Sequence, residues 1–109
     1  MNEALENIKS AIDKAKGQNT MIFKVNEHHP DIDYVVITSA SNQRQLLAIA
    51  DYVRDVLIDK NYGYSHMEGN DSSKWILVDS DLIVIHVFEE QEREVYSLEK
   101  LYANCERVM

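Results

Sequence analysis

The apolar run LIVIHVF at residues 82–88 constrains the fold of this 109-residue chain more than any other feature. A run that is apolar at consecutive positions is typical of a central strand covered on both faces. A second run, WILV at residues 75–78, precedes it, and only three residues, 79–81, separate the two. So short a connector permits only an antiparallel hairpin. We therefore expect a hairpin whose second strand lies at the centre of a sheet.

Three further strands are expected around this hairpin. They lie at residues 20–25, at residues 34–38 (YVVIT) and, more weakly, at residues 65–68. The strand–helix–strand unit between the last two implies a right-handed parallel crossover, whereas the hairpin implies antiparallel neighbours. We predict a single α/β domain over residues 1–109, with a mixed, twisted, five-stranded sheet and helices packed on it.

Apolar residues at helical spacing predict three helices. The first begins near the N-terminus and ends at Gly17, and the second runs from Ser41, a plausible N-cap, to about Asp59. The third covers residues 89–108, where a narrow apolar stripe should dock it: Val95, Leu98, Leu101 and Tyr102.

The charge balance limits the class of partner. The chain has 11 Lys and Arg against 19 Asp and Glu, a net charge of −8. Because nucleic-acid binders neutralise phosphates with clustered Lys and Arg, direct binding to nucleic acid or to an anionic membrane is disfavoured, and a basic partner is favoured. No apolar run approaches the roughly 20 residues that span a bilayer. The single cysteine, Cys105, excludes an internal disulfide, and we expect a cytoplasmic protein.

An acidic pair is the first candidate for chemistry. Asp31 and Asp33 alternate as the chain enters a strand, which places both carboxylates on one side, as in metal-dependent nucleotidyltransferases. Those enzymes also need a Gly-Ser turn that cradles phosphate, and this sequence has none, nor a Walker or GxGxxG loop. The histidines lack HxxxH spacing. We expect no metal and no cofactor, and keep a divalent-metal-dependent nucleotidyl or phosphoryl transferase using these aspartates as the alternative function.

Surface candidates lie on the hairpin and just after it. His86 interrupts the apolar run and is either a hydrogen-bonded core histidine or a polar spot on a binding face, with Trp75 nearby on the paired strand. The acidic stretch at residues 89–94 is either a solvated helix face or a docking device for Lys and Arg. Both pairs of interpretations stay open.

An ordered set of motifs resembles a known family. The motifs are Asp33-Tyr34, Ser41-x-x-Arg44-Gln45, Glu68-Gly69-Asn70, Trp75, Asp79, His86-Val87-Phe88, and Arg93-x-x-Tyr96-x-Leu98-Glu99-x-Leu101. In this order and at these spacings, over residues 33–102, the sequence resembles the ribosomal silencing factor family, also called RsfS or Iojap.

A few positions depart from the family pattern. Residues 28–31 (HHPD) replace a usually Ser-rich segment, and Asp81 and Leu82 replace a glycine and an acidic residue. Tyr102 stands where a tryptophan is usual, and Ala40 where a glycine is common.

The resemblance implies a function in translation and no enzymatic activity. Family members bind the large ribosomal subunit through a basic protein on its intersubunit face, the fourteenth protein of that subunit. They thereby block joining of the small subunit and repress translation when nutrients are scarce. Their fold has a nucleotidyltransferase-like core without the catalytic motif, and homodimers are common among them.

Two groups of residues are predicted to matter for this function. The partner-binding group forms an apolar anchor with acidic surroundings, and it comprises Trp75, Asp79, His86, Glu68, Glu89 and Glu90. The structural or family-motif group comprises Asp33, Ser41, Arg44, Gly69, Arg93, Tyr96 and Glu99.

Overall fold

The fold is that of a computed structural model, which describes residues 2–70 and 72–109 and contains three α-helices and six strands among them. In chain order the elements are α1 (Glu3–Lys14), β1 (Gln18–Lys24), β2 (Tyr34–Ala40), α2 (Gln43–Asp59), β3 (Tyr64–Glu68), β4 (Trp75–Ser80), β5 (Ile83–Glu89), α3 (Glu90–Tyr96), a 3-10 helix (Leu98–Tyr102) and β6 (Glu106–Arg107). Within these residues, no helix combines the length and the apolar character that a membrane crossing requires.

The strands form one mixed sheet in the order β3-β4-β5-β2-β1-β6. β2 and β5 are parallel, and all other neighbours are antiparallel. The predicted α/β class and the β4–β5 hairpin are therefore confirmed. The strand number was wrong, because β6 adds a sixth strand along the edge of β1. Its two residues, Glu106 and Arg107, are charged and too few to show a strand pattern in the sequence.

One face of the sheet is covered by α1 and α2. Their buried side chains include Leu5, Ile8, Leu46, Ile49 and Val53, and they pack on alternate residues of the strands. In β5 these alternate residues are Ile83, Ile85 and Val87, all buried. This packing forms the main hydrophobic core, because each helix presents its apolar stripe to the apolar face of the sheet.

The opposite face is covered over only part of its width. Residues 90–105, here called the C-terminal segment, pack through Leu98 and Tyr102 against a second cluster that contains Phe23 and Phe88. Nothing among the described residues covers β3, β4 and the adjoining side of β5 to the same degree. The expectation that the LIVIHVF strand is covered on both faces is therefore wrong, since Val84 and His86 are only half-buried.

The end of the chain differs most from the prediction of a single helix. α3 ends at Tyr96, Ser97 adopts left-handed backbone with φ 45°, and the 3-10 helix and β6 follow. This break changes the phase of the apolar spacing, so the predicted stripe does not lie on one helix face. Leu98 and Tyr102 pack as expected, but Val95 and Leu101 remain 74% and 73% exposed.

Two helix ends also differ in detail from the expectation. The N-cap of α2 is Asn42, whose Oδ1 accepts a hydrogen bond from the backbone N–H of Gln45 at 2.8 Å, and not Ser41. The N–H of Ser41 instead donates to Oε1 of Gln45 at 2.6 Å. After α1, the left-handed residue is Lys16 (φ 66°), one position before Gly17.

Candidate protein-binding surface

The uncovered half of the sheet presents one set of side chains, here called the open sheet face. Cross-strand register defines it: Glu68 of β3 lies opposite Leu77 of β4, and Leu77 lies opposite His86 of β5. In the same way His66 is opposite Asp79, which is opposite Val84. Directly opposed residues of antiparallel strands point to the same face. The members of the open sheet face are His66, Glu68, Trp75, Leu77, Asp79, Val84 and His86.

Trp75 lies at one end of this face and is held by its neighbours. Its indole Nε1–H donates a hydrogen bond to Nδ1 of His86 at 3.1 Å. The ring stacks on Phe88, with centroids 4.7 Å apart, and contacts Tyr96, with centroids 5.0 Å apart. Tyr96 itself is 55% exposed. Because three rings limit its rotamers, the half-buried indole is a rigid apolar feature of the surface.

His86 combines the two interpretations that the sequence left open. Its ring accepts the indole N–H and so has a hydrogen-bonded neighbour, yet it lies on a partly exposed face. Burial lowers the pKa of His86 from its ordinary value of 6.5 to about 4. The imidazole is therefore neutral at pH 7 and adds no positive charge to the open sheet face.

A cavity of about 270 Å³ opens next to the indole and is lined by Glu68, Gly69, Trp75, Leu77 and His86. Gly69 has φ 126°, and a Cβ there would approach Cγ1 of Ile76 to 2.8 Å, so the backbone at this rim requires glycine. The sequence had singled out four of these five residues. Leu77 was missed because an apolar residue within a strand looks like an ordinary core residue.

Two carboxylates belong to this face, Glu68 on β3 and Asp79 on β4. Nε2 of His66 lies 3.2 Å from Oε1 of Glu68, and Nδ1 of His66 lies 3.8 Å from Oδ2 of Asp79. The side chains of Glu68 and Asp79 are 65% and 30% exposed. Sequence reasoning missed His66, although its position two residues before Glu68 on a strand gave a signal by alternation.

The remaining two predicted partner-binding residues, Glu89 and Glu90, lie apart from this cavity. Glu89 ends β5 on the side of Val87 by alternation, and its N–H donates to the carbonyl of Lys74 at 2.8 Å. Glu90 lines a different cavity of about 540 Å³, together with Arg93. The structure thus brings together Trp75, Asp79, His86 and Glu68 but not the acidic start of α3.

Arg93 joins the C-terminal segment to the sheet. It is 7% exposed, and its Nη1 donates to the carbonyl of Asn19 at 2.6 Å and to Oγ of Ser39 at 2.8 Å. Its Nε lies 3.4 Å from Oε2 of Glu99. These contacts join the C-terminal segment to β1 and β2. Arg93 and Glu99 therefore hold this segment against the sheet.

Other residues of the family pattern lie far from the open sheet face. The N–H of Asp33 donates to the carbonyl of Leu82 at 2.7 Å, and Asp33 lines a cavity that Asp31 does not reach. Arg44 is exposed, and no side-chain hydrogen bond joins it to any residue that the structure describes. Among those residues, no three His, Cys, Asp or Glu side chains gather in a geometry that could hold a metal ion.

Comparison with known proteins agrees with the motifs. The family model described as "Ribosomal silencing factor during starvation" matches residues 1–109. The chain is 38% identical over 73 residues to ribosomal silencing factor RsfS of Bacillus subtilis, an alignment that covers 67% of this chain and 62% of that protein. It is 27% identical over 106 residues to RsfS of Halalkalibacterium halodurans, covering 97% of this chain and 91% of that protein.

A solved structure supports the same assignment. The crystal structure of a protein from Bacillus halodurans superposes with a TM-score of 0.85 at 27% identity, over 98% of this chain and 97% of that one. The family consists of non-enzymatic ribosome-binding factors, which removes the metal-dependent transferase as an alternative. The resemblance found in the motifs is confirmed, and the chain belongs to the ribosomal silencing factor family, RsfS.

Proposed function

We propose that this chain binds the large ribosomal subunit through the open sheet face and thereby prevents the small subunit from joining. Family membership supports the ribosome as the target. One observation carries the choice of surface: a rigid, half-buried Trp75 lies beside an open cavity, at the border between the open sheet face and the part of the sheet that the C-terminal segment covers. Aromatic anchors of this kind contribute most of the binding energy in many protein interfaces.

The partner on the subunit, in this proposal, is a basic ribosomal protein on the intersubunit face; the family resemblance implies the fourteenth protein of the large subunit. Charge favours this kind of partner, because the exposed carboxylate of Glu68 lines the cavity beside the anchor and the half-buried carboxylate of Asp79 lies further along the same face. The neutral His86 does not offset them. The net charge of −8 disfavours direct binding to the phosphates of ribosomal RNA. Complementary charge at the rim orients the encounter and speeds association.

Inhibition is steric in this account. The molecule measures 34 × 32 × 21 Å, so a copy bound on the intersubunit face occupies space that the small subunit needs. A standard interface of about 800 Å² per partner would use roughly an eighth of its 6217 Å² surface. The resemblance further implies a cytoplasmic, ribosome-associated protein that represses translation under nutrient limitation, and a homodimer.

Sedimentation of the purified chain with separated subunits tests this proposal. We expect the chain to sediment with the large subunit and not with the small one, and to lower the fraction of joined ribosomes when both are present. Because the rim contacts are ionic, binding should weaken as salt rises above about 0.15 M. The proposal would be overturned if the chain stayed at the top of the gradient although large subunits were present, or if it left the fraction of joined ribosomes unchanged.

A further inference from the structure

We propose that the cavity beside Trp75 receives one arginine side chain of the basic partner, with its guanidinium stacked on the indole and hydrogen-bonded to Glu68. The inference rests on the proposed function and names the side chain that this part of the surface binds.

The size of the cavity suits a single side chain. At about 270 Å³ it is smaller than the roughly 300–1,000 Å³ typical of small-molecule sites. Trp75 and Leu77 contribute apolar lining, and Glu68, whose side chain is 65% exposed, contributes a carboxylate. A long side chain with an apolar stem and a polar head matches this distribution, because its stem contacts carbon while its head reaches the carboxylate.

The charges in the cavity favour a cation. Glu68 is the one ionised side chain among the described lining residues, since the imidazole of His86 is neutral and the others are uncharged. A positive group that enters therefore meets a carboxylate and no positive charge. His66 contacts only Oε1 of Glu68, so an apolar side chain in the same place would bury Oε2 without a partner, which costs free energy.

The hydrogen bonding of the Trp75 indole favours arginine over lysine. Because Nε1–H of Trp75 is already donated to His86, the part of the indole that lines the cavity offers aromatic carbon and no hydrogen-bond donor. A planar guanidinium stacks on such a face, donates two hydrogen bonds to one carboxylate, and is more weakly hydrated than an ammonium group. His86 is thus a positioning residue, which keeps the indole in the orientation that Phe88 and Tyr96 also support.

The single tryptophan of the chain makes a specific test possible, because one indole N–H resonance reports on this cavity. The full chain is titrated with N-acetyl tripeptide amides of sequence Gly-Arg-Gly, Gly-Lys-Gly and Gly-Leu-Gly. We expect the arginine peptide to shift the Trp75 indole signal saturably and to bind about threefold tighter than the lysine peptide. The leucine peptide should give no saturable shift.

Two isosteric variants separate the role of Glu68 from that of overall charge. Glu68→Gln should weaken arginine binding by about threefold, whereas Glu106→Gln, the same charge change at the opposite edge of the sheet, should leave it unchanged. A leucine peptide that binds as well as the arginine peptide, or equal affinity for arginine in both variants, would overturn the inference.

Sedimentation with large subunits, run in parallel, distinguishes this inference from the proposed function. A chain that binds large subunits but shows no indole shift with the arginine peptide contradicts the arginine site and leaves the proposed function standing. A chain that binds the arginine peptide but not large subunits contradicts the proposed function, while the chemistry of the cavity is supported.

Discussion

At the scale of single residues, the contact between Trp75 and His86 decides the chemistry of the open sheet face. The sequence predicted that the two residues lie on facing strands, which is correct. It did not predict their hydrogen bond, because Trp75 is paired with Phe88 and His86 with Leu77, and this register depends on where the hairpin turns. Leu77 was missed because it looks like a core residue in the sequence, and only its pairing with His86 and Glu68 places it on the open sheet face.

The neutral state of His86 predicts a loss of stability in mild acid. The pKa of His86 is about 4 in the folded chain and 6.5 in the unfolded chain. Between pH 4 and pH 6.5 the unfolded chain therefore binds more protons than the folded chain. Stability from this residue is fully present above pH 6.5 and falls as the pH drops toward 4. Urea unfolding should show a loss of about 2 kcal/mol from this group between pH 7 and pH 5.

His86→Asn is the matched variant for that experiment, because its amide oxygen can still accept a hydrogen bond but does not titrate. The difference between wild type and variant cancels the contributions of the other histidines. If both lose the same free energy between pH 7 and pH 5, His86 is not held neutral by the fold.

At the scale of elements, the sequence predicted α1, α2 and the β4–β5 hairpin well, because each has strong local periodicity and a local stop. The C-terminal segment was predicted poorly. Its conformation depends on Arg93, whose partners Asn19 and Ser39 lie more than 50 residues away in the chain. The two-residue β6 was missed because only pairing with β1 makes it a strand.

The cap of α2 gives a prediction at this scale. Asn42→Ala removes the acceptor for the N–H of Gln45 and should lower the free energy of unfolding by about 1 kcal/mol. Ser41→Ala should change it by less than about 0.5 kcal/mol, because its backbone N–H makes the contact to Gln45. Urea unfolding of both variants measures these changes. A larger loss of unfolding free energy for Ser41→Ala than for Asn42→Ala would show that Ser41 is the N-cap.

The attachment of the C-terminal segment gives a second prediction. Arg93→Met leaves Glu99 and two acceptors without their donor, so we expect a loss of about 2–3 kcal/mol in the free energy of unfolding. Arg44→Met is the control, since Arg44 is exposed and should matter by less than about 0.5 kcal/mol. Equal losses in the two variants would show that Arg93 is not the main attachment of the segment.

At the scale of the whole molecule, two helices cover one face of the sheet and the C-terminal segment covers only part of the other. Composition and periodicity predicted the α/β class, but the strand order that leaves β3 and β4 open came only from the tertiary structure. The net charge of −8 favoured a basic partner but did not indicate which one. The ordered motifs supplied the family, and the open sheet face supplies a surface on which its function can be tested.

The affinity of Trp75→Ala for purified large ribosomal subunits tests the central claim most directly. Tyr52→Ala is the matched control, because Tyr52 is a 46% exposed aromatic residue on α2, on the opposite side of the sheet. With both variants shown to unfold cooperatively, we predict binding about 30-fold weaker for Trp75→Ala and within about twofold of wild type for Tyr52→Ala. Unchanged affinity of Trp75→Ala would contradict the assignment of the open sheet face as the docking surface.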